Sequence, residues 1–138
     1  MTKEALLNEL SSHTYIMLKP SPIGGVGVFA VCDIPKGCRD MFSKPDPHDE
    51  WLTIPRKEID ALPAHAQFLV SNYCLFDDDN YFVPAEGFKK VDLCMFINHA
   101  DKPNIISIDD GDYFEARVDI KAGEELVIDY GTIVDSEE

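Results

Sequence analysis

The sequence is poor in positive charge: 12 lysine and arginine residues stand against 26 aspartate and glutamate residues, and the net charge is −14. A surface this acidic repels the phosphates of nucleic acids, so we expect no direct binding of DNA or RNA. It attracts basic partners, such as a protein segment rich in lysine and arginine. Charge alone nevertheless favours a plainer interpretation, in which the acidic groups only keep the protein soluble.

Long apolar runs are also missing. None approaches the ~20 consecutive apolar residues of a membrane-spanning helix, and residues 1–7 contain no apolar stretch of the kind found in a secretory signal. We therefore expect neither membrane insertion nor secretion. The expected location is cytoplasmic, or nuclear if the protein comes from a virus or a eukaryote.

Closely spaced metal ligands are absent as well. The four cysteines are scattered and form no Cys-x-x-Cys pair, which predicts free thiols in a reducing compartment. The acidic stretch at residues 77–80 lacks the spaced ligands and closing glutamate of a calcium loop, so we interpret it as a solvated turn. The sequence predicts no metal site.

The chain of 138 residues is long enough for one domain with a buried core. Short apolar or alternating stretches between turn signals predict a mainly β fold, with strands at residues 15–18, 26–29, 51–54, 81–84, 113–118 and 125–130. A helix is predicted at residues 64–73, with Phe68, Leu69 and Tyr73 on one side. Residues 3–10 are predicted to form a short helical turn or to fray, and residues 135–138 to be disordered.

Glycine is concentrated in one place, at Gly24, Gly25 and Gly27. Three glycines in four positions let the backbone turn freely and approach a ligand closely. The alternative is a glycine-rich hairpin or bulge without a ligand, and these residues taken alone favour it. A dinucleotide site is excluded because a turn, and no helix, follows the segment.

A polar segment at residues 98–104 separates two apolar runs, 91–97 and 105–108. Asn98 and His99 end the first run, and the Pro103-Asn104 pair favours a turn before the second. Amide and imidazole groups this close to a core must be hydrogen-bonded, or they lower stability. We therefore expect another part of the chain or a ligand to satisfy them.

Three stretches together resemble the SET domain family of lysine methyltransferases. Residues 98–104 are similar to its Asn-His-x-x-x-Pro-Asn signature, residues 25–30 to its Gly-x-Gly segment, and residues 123–131 to its closing Glu-Leu-x-x-Asp-Tyr segment. The chain departs from the family at Ala100-Asp101, where Ser-Cys is usual, and at Met95, where a basic residue is frequent.

The resemblance implies a SET-domain fold of several short β-sheets and few short helices, in which residues 98–104 pass under the closing segment as a C-terminal pseudoknot. It implies one SET domain over residues 1–138, with its core at about 15–131 and a variable insert within about 40–90. It also implies protein-lysine N-methyltransferase activity with S-adenosylmethionine, bound by Gly25, Val26, Gly27, Asn98 and His99. The substrate implied is a basic, lysine-containing protein, histone-like or other.

Tyr130 is the catalytic residue that the resemblance implies, with its hydroxyl orienting the methyl group and the target amine. A phenol with its usual pKa of ~10 is a poor general base at neutral pH, so we expect desolvation to help deprotonate the lysine. The residues alone favour a different interpretation of Tyr130, a strand aromatic with a satisfied hydroxyl, and the resemblance reverses that preference. His99 is expected to pack and hydrogen-bond without a catalytic role.

Four aromatic residues are candidates for the walls of the lysine channel: Tyr73, Tyr81, Tyr113 and Phe114. Only residues 132–138 follow the closing segment at residues 123–131, without a cysteine, so we expect the tail, the insert or a second subunit in a homodimer to close this channel. The alternative function is a catalytically weak or inactive SET-fold binding module that recognises a lysine-bearing partner.

Overall fold

The computed structural model describes residues 2–43, 51–109 and 111–133, so the predicted disorder of residues 135–138 lies outside the described residues. Within these ranges, three helices, α1 to α3, span Lys3–Ser12, Arg56–Asp60 and Ala64–Tyr73. Nine short strands of the described chain, β1 to β9, span Ile16–Pro20, Val26–Ala30, Trp51–Pro55, Leu75–Phe76, Asn80–Pro84, Asn98–His99, Ile105–Ile108, Tyr113–Ala116 and Glu125–Ile128. The same residues include 3-10 turns at Leu93–Phe96 and Tyr130–Thr132. The predicted mainly β class, with few short helices, is confirmed.

The main sheet has the strand order β1-β2-β9-β6. β2 lies antiparallel to both β1 and β9, whereas the short β6 pairs with β9 in parallel. Successive side chains of a strand point to opposite faces, and Leu126 and Ile128 of β9 are accordingly fully buried, beside Val28 of β2. β9 therefore connects the main core to the polar segment at residues 98–104.

Residues 51–84, which lie within the predicted variable insert (called the insert below), have a small core of their own. β3, β5 and β4 form a separate three-stranded sheet, which packs with α2 and α3. Its buried residues are Ile59, Val70, Cys74, Tyr81 and Val83. The segment that separates β2 from β6 in the sequence therefore has its own sheet and its own buried residues.

The buried face of α3 differs from the predicted one. The helix covers the predicted residues, but Phe68 is 62% exposed and Tyr73 is 39% exposed. Val70 and Cys74, four residues apart and so on one side of the helix, face the small core instead. The predicted apolar side was wrong because the small sheet of the insert packs against the face of α3 that carries Val70.

The predicted strand at residues 125–130 ends at Ile128. Asp129 then accepts a hydrogen bond from the Gly131 backbone N–H at its Oδ1 atom, and Tyr130 begins a 3-10 turn. The apolar run at residues 91–97 likewise contains a 3-10 turn, and only Ile97 of that run is fully buried. Because β9 ends before Tyr130, the side chain of Tyr130 does not follow the inward and outward alternation of that strand.

No helix in the described ranges combines the length and apolar character needed to cross a bilayer.

Candidate functional site

The backbone of β9 satisfies the polar segment at residues 98–104. Asn104 donates from Nδ2 to the Glu125 carbonyl at 2.8 Å and accepts from the Val127 N–H at 2.8 Å through Oδ1. The Asn104 N–H donates to the Val127 carbonyl at 3.1 Å, and the Ala100 N–H donates to the Ile128 carbonyl at 3.0 Å. Asn104 thus acts as a structural clamp between this segment and β9.

His99 and Tyr130 are held together at the end of this pairing. The Tyr130 N–H donates to His99 Nδ1 at 3.1 Å, and the two rings lie 5.2 Å apart. A ring nitrogen that accepts carries no hydrogen, so the imidazole hydrogen of the neutral form lies on Nε2, 3.4 Å from Asp101 Oδ1. His99 therefore fixes the backbone of Tyr130, as expected of a residue that packs and hydrogen-bonds.

The Tyr130 hydroxyl donates to the Ile97 carbonyl at 2.5 Å. Ile97 directly precedes Asn98, so this bond ties the Tyr130 side chain to the predicted cofactor segment. A phenol oxygen that donates its hydrogen can still accept one from another group. The geometry suits a hydroxyl that orients an amine rather than one that removes a proton.

Asn98 lies in a network with the glycine-rich segment. Its Nδ2 is 2.8 Å from Glu125 Oε2, 3.3 Å from the Val26 carbonyl and 3.5 Å from the Gly24 carbonyl. The other carboxylate oxygen of Glu125 accepts from Ser21 Oγ at 2.7 Å. These contacts bring the two predicted cofactor segments, 25–27 and 98–99, to one place.

The network occupies the point where β9 changes its partner. β9 pairs with β2 through Val28 and Phe29, and then with β6 through Asn98 and His99. Beyond Val28, β2 no longer pairs with β9, and the side chains of Asn98 and Glu125 fill the gap beside Gly27. Where a strand exchanges one partner for another, some backbone N–H and C=O groups are left outside the ladder and can bind a ligand in the cleft.

The glycines of this segment differ in the space beside them. A Cβ at Gly27 would lie 2.9 Å from Glu125 Cδ and 3.0 Å from Asn98 Nδ2, both too close. Beside Gly24 and Gly25, in contrast, there is open space, and Gly25 adopts a φ of +54° that favours glycine. Gly27 therefore makes room for the Asn98–Glu125 pair, and Gly24 and Gly25 leave the cleft open.

Tyr130 also lines a cavity of about 280 Å³. Tyr73 and Phe114, two of the four predicted channel aromatics, line the same cavity. The remaining walls include Trp51, Asn72, Cys74, Leu75, Phe82, Cys94, Met95, Ile97, Gly111, Asp112, Ile128 and Ile133. The cavity and the Asn98 network thus meet at the bond between Tyr130 and Ile97.

The other two predicted channel aromatics lie elsewhere. Tyr81 is buried in the core of the insert, where it packs edge-on against Phe76 at 5.7 Å. Tyr113 precedes Phe114 in β8, so it points to the opposite face of that strand. Neither residue belongs to the lining of the cavity.

In the described part of the chain, no group of three or more His, Cys, Asp and Glu side chains is arranged to hold a metal ion.

Two polar residues of the network were not among the predicted site residues. Ser21 and Glu125 are 104 positions apart, so no local pattern joins them. A signal for Glu125 was present in the sequence, because it is the glutamate of the closing Glu-Leu-x-x-Asp-Tyr segment. For Ser21 there was none beyond its nearness to the glycines.

Replacement of Gly27 by alanine is expected to weaken binding of any ligand in this cleft by about tenfold or more, because the new methyl group displaces Glu125 and Asn98. Stability should fall by no more than about 1–2 kcal/mol, since the displaced atoms belong to side chains. Titration calorimetry and urea unfolding measure the two effects. Gly24→Ala is the matched comparison, because its Cβ meets no protein atom within 4 Å and leaves Asn98 and Glu125 in place, so a loss of binding there reports only obstruction of the cleft. Binding in Gly27→Ala equal to that of the wild-type protein would contradict the assigned role of Gly27.

A sequence model of the SET domain matches residues 25–131, more than half of the chain. Among solved structures, the chain is similar to a chain of an apo ctPRC2 complex with two substitutions in Ezh2, with 25% identity and a TM-score of 0.57. That match covers 94% of this chain and 18% of the other. A protein of Plasmodium falciparum, provisionally assigned as a histone methyltransferase, matches with 22% identity and a TM-score of 0.48, over 86% of this chain and 94% of the other. No curated protein matches the sequence.

Proposed function

Because this chain belongs to the SET domain family, whose members are typically protein-lysine methyltransferases, we propose that it transfers methyl groups from S-adenosylmethionine to lysine residues of a basic protein. One observation carries the proposal. Tyr130 joins two sites, since it lines the cavity and its hydroxyl is bonded to the carbonyl of Ile97, the residue next to Asn98. A transfer between two reactants needs them on either side of one such point.

The cleft at Asn98 suits the cofactor. Open space beside Gly24 and Gly25 lets a ligand contact the backbone, and the side-chain oxygen of Asn98 suits an ammonium group. When bound, S-adenosylmethionine supplies a methyl group activated by a positively charged sulfur. Gly25, Val26, Gly27, Asn98 and His99 are the residues that would hold it.

The cavity suits a lysine side chain. Its volume of about 280 Å³ lies near the lower end of small-ligand pockets, and aromatic and aliphatic groups form most of its walls. Tyr73 and Phe114 can contact methylene groups and a cationic nitrogen. Apolar walls disfavour the ammonium form of lysine, whose ordinary pKa is ~10.4, and so promote loss of its proton.

The net charge of −14 supports a basic protein as the substrate. Asp112 lies at the cavity itself and adds a negative charge there. Substrate binding is therefore expected to weaken as salt is added, because salt screens exposed charges. Core histones are suitable first substrates because they are rich in lysine and arginine.

Titration calorimetry with S-adenosylmethionine tests the proposal, followed by incubation with core histones and mass spectrometry of the products. Saturable binding and methylated lysine are the expected results. A folded protein that binds no cofactor and methylates nothing would favour the alternative, a SET-fold binding module for a lysine-bearing partner. Retention of histones by that protein without methylation would support the same alternative.

Replacement of Tyr73 by alanine is expected to raise KM for a histone substrate by about five- to tenfold, because one aromatic wall of the cavity is removed. Cofactor affinity should not change. Steady-state kinetics with core histones measures the effect.

Phe68→Ala is the matched control for Tyr73→Ala, because Phe68 lies on the same helix, is 62% exposed and does not line the cavity. A similar rise in KM for both variants would place the substrate on the outside of α3 and not in the cavity.

A further inference from the structure

The orientation of the Asn98 amide is fixed by its surroundings. The three groups that face it are two carbonyl oxygens, of Gly24 and Val26, and one carboxylate oxygen, of Glu125. All three can only accept hydrogen bonds, so the atom that faces them must be the NH₂ group. The Oδ1 atom is consequently the part of this amide that remains for a ligand.

Glu125 is the strongest of these three contacts and is itself held in place. Its Oε2 is 2.8 Å from Asn98 Nδ2, and its Oε1 accepts from Ser21 Oγ at 2.7 Å. Its backbone lies in β9, opposite Phe29 of β2. Both carboxylate oxygens are therefore engaged by side chains from the two segments that border the cleft.

The hydrogen-bond partners of Glu125 are neutral. Asn98 and Ser21 donate to it, and none of the salt bridges between described residues includes it. Since no cationic side chain among the described residues forms an ion pair with this carboxylate, its charge is not offset locally and attracts a cation nearby. The charge and the fixed amide thus act in the same direction.

Resting on the proposed function, we propose that Glu125 is a positioning residue that fixes the Asn98 amide with Oδ1 toward the α-ammonium group of the cofactor. Without Glu125, the amide loses its shortest bond and can rotate, which would present NH₂ to the ligand. A donor facing an ammonium group repels it, whereas an oxygen accepts from it. Glu125 would therefore select the amino group of the ligand without touching it.

The test compares two ligands by titration calorimetry. One is S-adenosylhomocysteine, and the other is its analogue without the α-amino group. Glu125→Ala is expected to weaken binding of S-adenosylhomocysteine by about tenfold or more, the size expected for a hydrogen bond to a charged group. Affinity for the analogue should stay within about twofold of the wild-type value.

Two further variants make the comparison specific. Glu125→Gln keeps an oxygen for Asn98 and offers NH₂ to Ser21 Oγ, so it should recover part of the lost affinity. Glu124→Ala removes a carboxylate one position earlier, where it accepts only from the Lys121 N–H of the neighbouring turn, and should change neither affinity. Thermal unfolding of each variant establishes that it is folded.

An equal loss for both ligands in Glu125→Ala would overturn the proposal, since it would show a structural role alone. An unchanged affinity for S-adenosylhomocysteine would overturn it as well. If the wild-type protein bound neither ligand, the proposed function itself would fail and the role of Glu125 with it. A loss confined to the ligand that carries the amino group would support both.

Discussion

Replacement of Tyr130 by phenylalanine is expected to lower the rate of methyl transfer by about 100-fold, the scale on which misplaced reactants lose rate. The change removes only the hydroxyl, which is bonded to the Ile97 carbonyl at the junction of the cavity and the cleft. The ring remains as a cavity wall, so KM for the substrate should change little. Single-turnover measurements with labelled S-adenosylmethionine and core histones give the rate, and calorimetry should give an unchanged cofactor affinity.

Tyr15→Phe is the matched control for this variant. Tyr15 is another partly buried tyrosine packed against the main core, and it does not line the cavity. Both substitutions should cost about 1 kcal/mol of stability or less for the lost hydroxyl. An unaltered rate in Tyr130→Phe, or equal losses in the two variants, would show that the Tyr130 hydroxyl has no part in the transfer.

The strands could be predicted from the sequence because their signals are local. Residues 64–73 form the predicted helix with the same bounds, and β3 and β5 agree with the predicted strands to within a residue at each end. The order β1-β2-β9-β6 depends on pairing between residues about 100 positions apart, which no local pattern encodes. The parallel pairing of β6 with β9 is of the same kind.

The sequence also could not predict which side of a helix or strand faces the cavity. Alternation places Tyr113 and Phe114 on opposite faces of β8, but it does not say which face borders the cavity. Tyr81 alternates in the same way in β5 and is taken up by the core of the insert. The tertiary structure therefore decides which of the four aromatics line the cavity and which lie elsewhere.

The candidate site could be predicted in part, because three short motifs named its members. Asn98, His99 and Tyr130 do lie together with the glycine-rich segment, joined by β9. The hydrogen bonds that orient them come from Ser21, Glu125 and the Ile97 carbonyl. Motifs mark residue types, whereas the bonds that set their direction form only when distant segments meet.

Replacement of Asn104 by alanine is expected to lower the free energy of unfolding by about 2–4 kcal/mol, because two side-chain hydrogen bonds are lost and their partners on β9 are left unpaired. Asn104→Asp should be at least as damaging, since a carboxylate keeps the bond from the Val127 N–H but faces the Glu125 carbonyl with an acceptor. Urea unfolding followed by circular dichroism measures both.

The loss at Asn104 should also reach the site, since the same clamp holds residues 98–99 against Val127 and Ile128. Cofactor affinity is therefore expected to fall with stability in both Asn104 variants, whereas Tyr130→Phe should lower the rate alone. Asn8→Ala, an equal truncation on the exposed helix α1, is the control and should change stability by less than about 0.5 kcal/mol. If Asn104→Ala matched this control, β6 and β9 would be held by their backbone pairing alone, and Asn104 would not be the clamp of the site.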